Sequence, residues 1–529
     1  MENWLKKNTA LILALVLVCA VCLMFAARKD GMFIDEIYTY GLSNSYYAPY
    51  VTDIKGGSLI DKVMTREELT DYLTVGEGDR FAVGSVYYNQ TRDVHPPLYY
   101  WLFNFVSSLV PGEFSMWPAL ILDLVIYLLT LFVLYKLSLL LFGSRLCAAS
   151  AVLIYGLSTI GISTMLMIRM YVLLTLLTVL LAYLIVRLMR EKRAALYPLI
   201  ALNIFAGLMT QYYFVFYAFF VCLGYDIYAL IKKDYKSFFI FSLSALAGVL
   251  CLVFAFPACL DQLFADALVS GGDAVDNLKN VSQYASRLVT FVRDTLHRMR
   301  AVTWIAFILL LTVLVRCKTV AAGLRGKKLN WDALVPIVPA FVSFIVVAIV
   351  SPVPEIRYIY NLVPLLVLGV IALLHIAELS DTDMQSKLGV KIFVGVAICA
   401  MCLWQARCLA PDYLYEEYSD YDALLREHAD APCVYVDDNY FSPITYDMLQ
   451  LMNFDDFLVT NDTASKAMLD YIGDAEETVV FIDVSREWAS GYDAEEILTG
   501  LEESTGYTQQ TALYSNGFSA VYLLKGGNA

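Results

Sequence analysis

The chain alternates long apolar runs with short polar or charged breaks. Asn8–Phe25 is the first run, with Lys6-Lys7 before it. Others follow at Trp117–Leu141, Leu146–Met165, Tyr171–Leu188, Leu196–Met209, Tyr212–Ile231, Phe238–Pro257, Val302–Val315, Ala333–Val350, Tyr358–Ile376 and Val390–Gln405. With the first they predict about eleven helices, each near the ~20 residues a bilayer core requires. The amino-terminal layout also fits a signal peptide. The length of the run, and the lack of a small-residue cleavage site before Asp35-Glu36, favour an uncleaved anchor. Tyr99–Val110 is apolar but short, and reads as re-entrant or interfacial. The segment up to His95 is polar, with turn signals at Gly56-Gly57 and Gly76-Glu77-Gly78.

After Pro411 the pattern changes. Val434-Tyr435-Val436, Thr478–Ile482 and Ala520–Leu524 predict short strands, while Tyr446–Leu451 and Ala494–Leu501 predict helices. This is the pattern of a small α/β module. The predicted fold is therefore an α-helical polytopic membrane domain over residues 1–407, with an exported first loop at 28–116 carrying interfacial helices. A small α/β extracytoplasmic domain follows at 411–529.

Composition agrees: 59% of residues are hydrophobic and 14% aromatic, more apolar surface than a soluble chain of this length needs. Charge separates the two parts. From Pro411 onward 24 acids face 4 bases, leaving 27 acids and 33 bases before it. The acidic tail argues against nucleic acid as a partner. Positive charge also orients the spans. With a cytoplasmic amino terminus and a non-crossing Tyr99 segment, the inside loops carry Arg145; Arg187, Arg190, Lys192 and Arg193; Lys232, Lys233 and Lys236; Arg316, Lys318, Arg325, Lys327 and Lys328; and Lys387. The carboxyl-terminal domain then lies outside.

That orientation gathers the candidate chemistry on one outer face: Asp35-Glu36, Asp93, His95, Arg169, Gln211-Tyr212-Tyr213, the Pro257–Arg300 loop and Pro354-Glu355-Ile356-Arg357-Tyr358. An isolated Asp-Glu pair reads as solvated loop charge. Here the two carboxylates sit among apolar residues at a membrane surface, where partial desolvation raises basicity. Asp123 is the exception to an almost charge-free midplane, either a functional carboxylate or a hydrogen-bonded packing residue. Arg293, His297 and Arg300, at i, i+4 and i+7, predict one helical face. It either rests on anionic headgroups or forms a collar that helps capture a lipid phosphate. Asp437-Asp438 and Asp455-Asp456 read as a solvated acidic face or an ion site. The 11 cysteines lie mostly inside apolar runs. Cys19-Ala20-Val21-Cys22 reads as core packing, and no disulfide framework is implied. After Pro411 no glycine-rich phosphate loop or nucleophile elbow is found in the sequence.

Asp35-Glu36 after the first span, Asp93-Val94-His95-Pro96-Pro97-Leu98-Tyr99-Tyr100, Arg169-Met170-Tyr171 and Arg357-Tyr358 together resemble the bacterial branch of the protein O-mannosyltransferase (family 39) superfamily. These are polytopic glycosyltransferases of the C-type fold, related to aminoarabinose transferases. The resemblance covers roughly Met1 to Arg407. It implies a sugar donor on a polyprenyl phosphate, an acceptor (protein, lipid or glycan) arriving from outside, and inversion at the anomeric carbon. It implies Asp35 as catalytic base with Glu36 beside it. Arg169 and Arg357 would hold the lipid phosphate, with Tyr171 and Tyr358 beside them and His95 lining the same cavity. Asp93, Asp123, Gln211, Arg293 and His297 are accessory candidates. Met116-Trp117 precede Pro118 where relatives often have arginine, and Met167-Ile168 stand where many have an acid. No cofactor and no metal ligand are assigned, and a divalent metal is left open. The rival readings are a polysaccharide polymerase or ligase using a diphosphate lipid, a lipid or glycan transporter, and a non-catalytic glycan-assembly protein.

Overall fold

The computed structural model describes residues 2–264, 276–324, 330–380, 387–437, 443–485 and 492–526. Arg325, Lys327, Lys328, Asp438, part of the 257–300 loop and the side chains of Lys6 and Lys7 lie outside the described residues. The chain forms two compact units, one of Met1–Ala27, Asp93–Tyr99 and Leu120–Asp412, the other of Arg28–Arg92, Tyr100–Ala119 and Tyr413–Ala529.

The first unit is a helical bundle. Among the described residues, eight helices are long and apolar enough to cross a membrane, or up to ten if each of two bent pairs counts as one span. The bent pairs are Arg145–Gly156 with Thr159–Leu166, at 60°, and Val281–Arg298 with Arg300–Val315, at 92°. The remaining predicted span, Leu196–Leu208, is helical but only 13 residues long. Each of the eleven runs read from the sequence thus becomes a helix or a bent pair. The Tyr99 run forms Leu98–Ser107, whose 10 residues reach about 15 Å, half a bilayer core.

Polar caps set where these helices begin. Ser144, Ser158, Asp234 and Asn330 each accept a backbone N–H from the first turn that follows, satisfying a donor that lipid could not. Ser158 lies at the first bend, so chain direction changes there without an orphaned amide. Small residues bring backbones close. At Gly248 an added Cβ would lie 2.6 Å from the Ala201 carbonyl oxygen, so Tyr235–Ala255 and Leu196–Leu208 pack with no room for a side chain. Large apolar side chains such as Phe254, Leu243 and Phe393 remain exposed, as a lipid-facing surface requires.

The second unit is built on a six-stranded sheet. Its strands are β1 (Lys62–Thr65), β2 (Cys433–Val436), β3 (Asp456–Thr460), β4 (Glu477–Asp483), β5 (Tyr507–Ser515) and β6 (Ser519–Gly526), in the order β1-β3-β2-β4-β6-β5. β2 runs parallel to β3 and β4, and the other pairs are antiparallel. The predicted strands correspond to β2, β4 and β6. The predicted helix near Tyr446 is two short pieces, Pro443–Tyr446 and Met448–Leu451, and Ala494 opens a helix running to Thr505. β1 comes from the first loop and pairs with β3, Val63 opposite Leu458. Val434, Val436, Val480 and Ile482 pack with Met468, Leu498 and Leu501 of the helices Lys466–Ile472 and Ala494–Thr505.

The alternate residues of β2 and β4 include Tyr435 and Phe481, whose rings stack at 5.8 Å. Tyr435 donates to buried Asp447 at 2.8 Å. Asn516 Nδ2 donates to the same carboxylate at 2.8 Å, and the Ser519 hydroxyl also does so. Burial pushes Asp447 up to about 6, and these three donors only partly offset it. A carboxyl raised in the folded state destabilises the fold as it ionises. Its cost is absent near pH 3, accumulates between about pH 4 and pH 6, and then levels at about 3 kcal/mol. Hydrogen exchange at the β2 and β6 amides of wild type should therefore lose protection across that window relative to Asp447→Asn. Parallel profiles for the two proteins would contradict this.

Candidate functional site

In the second unit, helix Ile34–Asn44 carries the Asp-Glu pair. Glu36, at its third position, accepts from the Phe33 backbone N–H at 2.6 Å, one arm of a capping box. Its carboxylate also pairs with Lys29 Nζ at 3.0 Å, both side chains fully buried. Lys29 donates onward to the Tyr413 carbonyl at 2.7 Å and lies 5.7 Å from the Tyr415 ring centre. The same segment is tied again by the Asp30 N–H on the Leu414 carbonyl at 2.9 Å and by Arg28 on Glu416 at 2.7 and 3.1 Å. Glu36 is thus taken up in fixing the start of its helix. Asp35 is half-buried, one helical turn from half-buried Tyr38, whereas Ile34, Ile37 and Tyr40 are in the core. Packing of Gly41 against Tyr72, whose ring a Cβ would overlap at 2.1 Å, fixes the far end of the helix.

In the first unit, several predicted residues meet at turns between helices. His95 Nδ1 lies 3.0 Å from Asp93 Oδ2. The Asp93 carbonyl accepts from Gln262 Nε2 at 2.7 Å, and Gln262 Oε1 accepts from Tyr212 at 2.5 Å. The Leu98 N–H reaches the Met209 carbonyl at 3.0 Å. Burial pushes the Asp93 carboxyl up, but the neighbouring His95 and the Arg169 guanidinium outweigh it and hold the group below the usual carboxylate range. Arg169 is 4% exposed, in the turn between Thr159–Leu166 and Tyr171–Glu191. Tyr171, which opens the second of these helices, meets the Tyr360 ring at 6.1 Å. Tyr360 shares the 3₁₀ segment Ile356–Leu362 with Arg357 and Tyr358. Arg357 pairs with Glu355 at 2.9 Å and lies 5.6 Å from the Tyr358 ring centre. Tyr358 packs on Tyr213 at 5.2 Å, next to the Gln211-Tyr212 turn. Asp93, His95, Arg169, Tyr171, Gln211, Arg357 and Tyr358 are thereby linked through direct contacts or immediate chain neighbours.

Other candidates sit differently. Asp123 is fully buried and accepts from Tyr99 at 2.8 Å. Arg293 is exposed and pairs with Asp294 at 3.2 Å. The predicted continuous face of Arg293, His297 and Arg300 is broken, because the helix Tyr284–Arg298 ends and turns by 92° before Arg300 opens the next. Arg300 instead donates to the His297 ring at 2.8 Å. Arg298 forms a two-bond pair with Asp412 at 2.8 and 3.2 Å. Helix Tyr284–Arg298 also walls an apolar cavity of about 450 Å³ lined by residues including Val292, Leu296, Met299, Phe344, Leu366 and Val370. The last two belong to the first turns of Val363–Ser380, directly after the Arg357 segment.

Sequence reasoning missed Lys29, Gln262 and the role of Tyr212. Lys29 carried a signal: it is a base on the predicted outer side, seven positions before Glu36. Gln262 carried none.

A bundle of this many apolar helices, with its arginines and histidine gathered in turns at helix ends, defines an integral membrane protein. Residues 94–260 match the family model described as dolichyl-phosphate-mannose-protein mannosyltransferase. ArnT from Cupriavidus metallidurans, solved by crystallography in the apo state, is similar in fold, with a TM-score of 0.54 at 11% identity over 98% of both chains. The archaeal oligosaccharyltransferase AglB from Archaeoglobus fulgidus, solved with an inhibitory peptide and a dolichol-phosphate, aligns at 10% identity over 98% of this chain and 74% of its own, with a TM-score of 0.42. No curated protein matches the sequence. Over residues 94–260 the chain is thus similar to that family, and its fold is similar to that of ArnT.

The buried Lys29–Glu36 pair yields a stability prediction. Lys29→Met leaves a carboxylate buried without its counter-charge and should cost about 3–5 kcal/mol. Lys29→Met/Glu36→Gln keeps an acceptor for Phe33 and removes the charge, so it should recover most of that loss in thermal unfolding. A double variant no more stable than the single one would contradict the assignment.

Proposed function

We propose that this protein is a membrane glycosyltransferase that moves a sugar from a polyprenyl-phosphate donor to an acceptor on the outer side of the membrane, with inversion. The observation that carries this reading lies within the helical unit. Arg169, Arg357, Asp93 and His95 occupy turns at helix ends, and an apolar cavity begins in the helix that follows Arg357. A lipid-phosphate sugar needs both features, a polar rim for the phosphate and an apolar channel for the chain.

In this reading the guanidinium groups of Arg169 and Arg357 receive the phosphate as charge builds on the leaving oxygen. Guanidinium holds such oxygens bidentately and stays protonated. Asp93 neutralises part of the local positive charge and aligns His95 through the 3.0 Å contact. Tyr171 and Tyr358 flank the arginines, and Gln211 holds the turn beside them. Asp35 is the general base that takes the acceptor hydroxyl's proton as the new bond to the anomeric carbon forms, while the phosphate departs from the opposite face. Glu36 acts through the helix start rather than on the proton. The cavity walled by Val292 and Leu296 takes part of the prenyl chain, with Arg293 and His297 on that helix meeting headgroups. Asp123 serves to hold Tyr99. The amino terminus is cytoplasmic and the carboxyl-terminal sheet extracytoplasmic, which puts the acceptor outside.

The test is turnover of a panel of polyprenyl-phosphate sugars by the purified protein. Asp35→Asn should lower kcat by about 10²–10⁴. Arg357→Ala should cost roughly 3–4 kcal/mol of transition-state stabilisation, a few hundredfold in rate. Equal rates for Asp35→Asn and wild type would remove Asp35 from the chemistry. Binding of the glycolipid with no turnover by wild type would make the protein a carrier or assembly factor instead.

A further inference from the structure

The far end of the same helices holds a second group of chemically active side chains. Cys147 lies in the first turn of Arg145–Gly156, and His375 and Glu378 lie one turn apart near the end of Val363–Ser380. Their donor atoms all lie within 4.8 Å of one another. Cys147 Sγ is 3.7 Å from Glu378 Oε2. A tetrahedral zinc ion, with bonds near 2.3 Å to sulfur and 2.0–2.2 Å to oxygen, holds those two atoms roughly 3.6 Å apart. The pair would hardly move to accept one. Glu378 divides its two oxygens: Oε2 faces the thiol, and Oε1 is held by Lys391 Nζ at 2.8 Å. Cys147 and Glu378 are buried, and His375 and Lys391 are half-buried.

We propose that Cys147, His375 and Glu378 form a binding site for a divalent ion of the zinc class. Thiolate, imidazole and carboxylate together suit such an ion, whereas magnesium or calcium would call for oxygen ligands throughout. On binding, the Cys147 thiol proton leaves to solvent and the ion takes its place between sulfur and carboxylate. Lys391 keeps the outer carboxylate oxygen and orients the ligand. The site lies roughly 30 Å along the helix axis from Arg357, so it fastens the start of one span to the end of another and takes no part in sugar transfer.

The experiment uses the full chain in detergent, titrated with Co²⁺ and then with Zn²⁺, and it needs no knowledge of the transferase substrate. Wild type should take up one Co²⁺ with a thiolate-to-cobalt charge-transfer band, release a proton, and lose the band to Zn²⁺. Cys147→Ala should lack the band, and His375→Gln should weaken uptake by more than about tenfold. Both variants are first checked for unchanged helical circular dichroism. No band in wild type would overturn the proposal, leaving the Lys391–Glu378 pair and a packed histidine as the whole of the cluster. A band of equal strength in Cys147→Ala, arising from one of the other cysteines, would overturn it too.

Discussion

A charge within hydrocarbon has no water to solvate it, and the placement of charged groups in the helical unit follows from that cost. Arg169 lies in a turn between helices, and Arg357 lies in the 3₁₀ segment that opens a span. Arg187, Arg190 and Lys192 lie where Tyr171–Glu191 ends, paired with Glu191, Asp332 and Asp234. Asp123, placed deeper, is met by the Tyr99 hydroxyl. The rule also makes function economical. Charges barred from the middle of the bundle collect at its ends, where a lipid-borne phosphate would be presented.

The same cost shapes the second unit. Lys29 and Glu36 are both fully buried, and each offsets the charge of the other. Their pairing ties the start of helix Ile34–Asn44 to the Tyr413 carbonyl, so the segment carrying Asp35 is fixed by residues that themselves need not touch substrate. Asp447 shows the other solution. Among the described residues it has no counter-charge; it collects three donors instead, and its ionisation is displaced upward.

The helical unit was legible from the sequence because the bilayer imposes one strong pattern. Every long apolar run became a helix, and the turns carrying Asp93, Arg169 and Arg357 were marked by charge at the run ends. The 92° bend before Arg300 was not legible, since Arg293 to Val315 keeps helical periodicity while Met299 breaks the helix. In the sheet unit the buried strands β2, β4 and β6 read clearly as apolar runs. β5 did not, because Thr508-Gln509-Gln510-Thr511 is a polar, exposed edge, although Asn516-Gly517 marks its hairpin. β1 is four residues long and pairs with a strand from the far end of the chain, a relation that local pattern cannot carry. The Gln262 bridge between Asp93 and Tyr212 is likewise a tertiary fact.

Transfer on the outer side requires the Arg357 segment to face outward. Glu355 and Lys387 bracket the span that begins at Ile356 and ends at Leu379, and each can carry a single engineered cysteine in a background without other reactive thiols. In intact cells a membrane-impermeant maleimide should modify Glu355→Cys at once and Lys387→Cys only after permeabilisation. The reverse pattern would put the arginines on the cytoplasmic face and contradict transfer on the outer side.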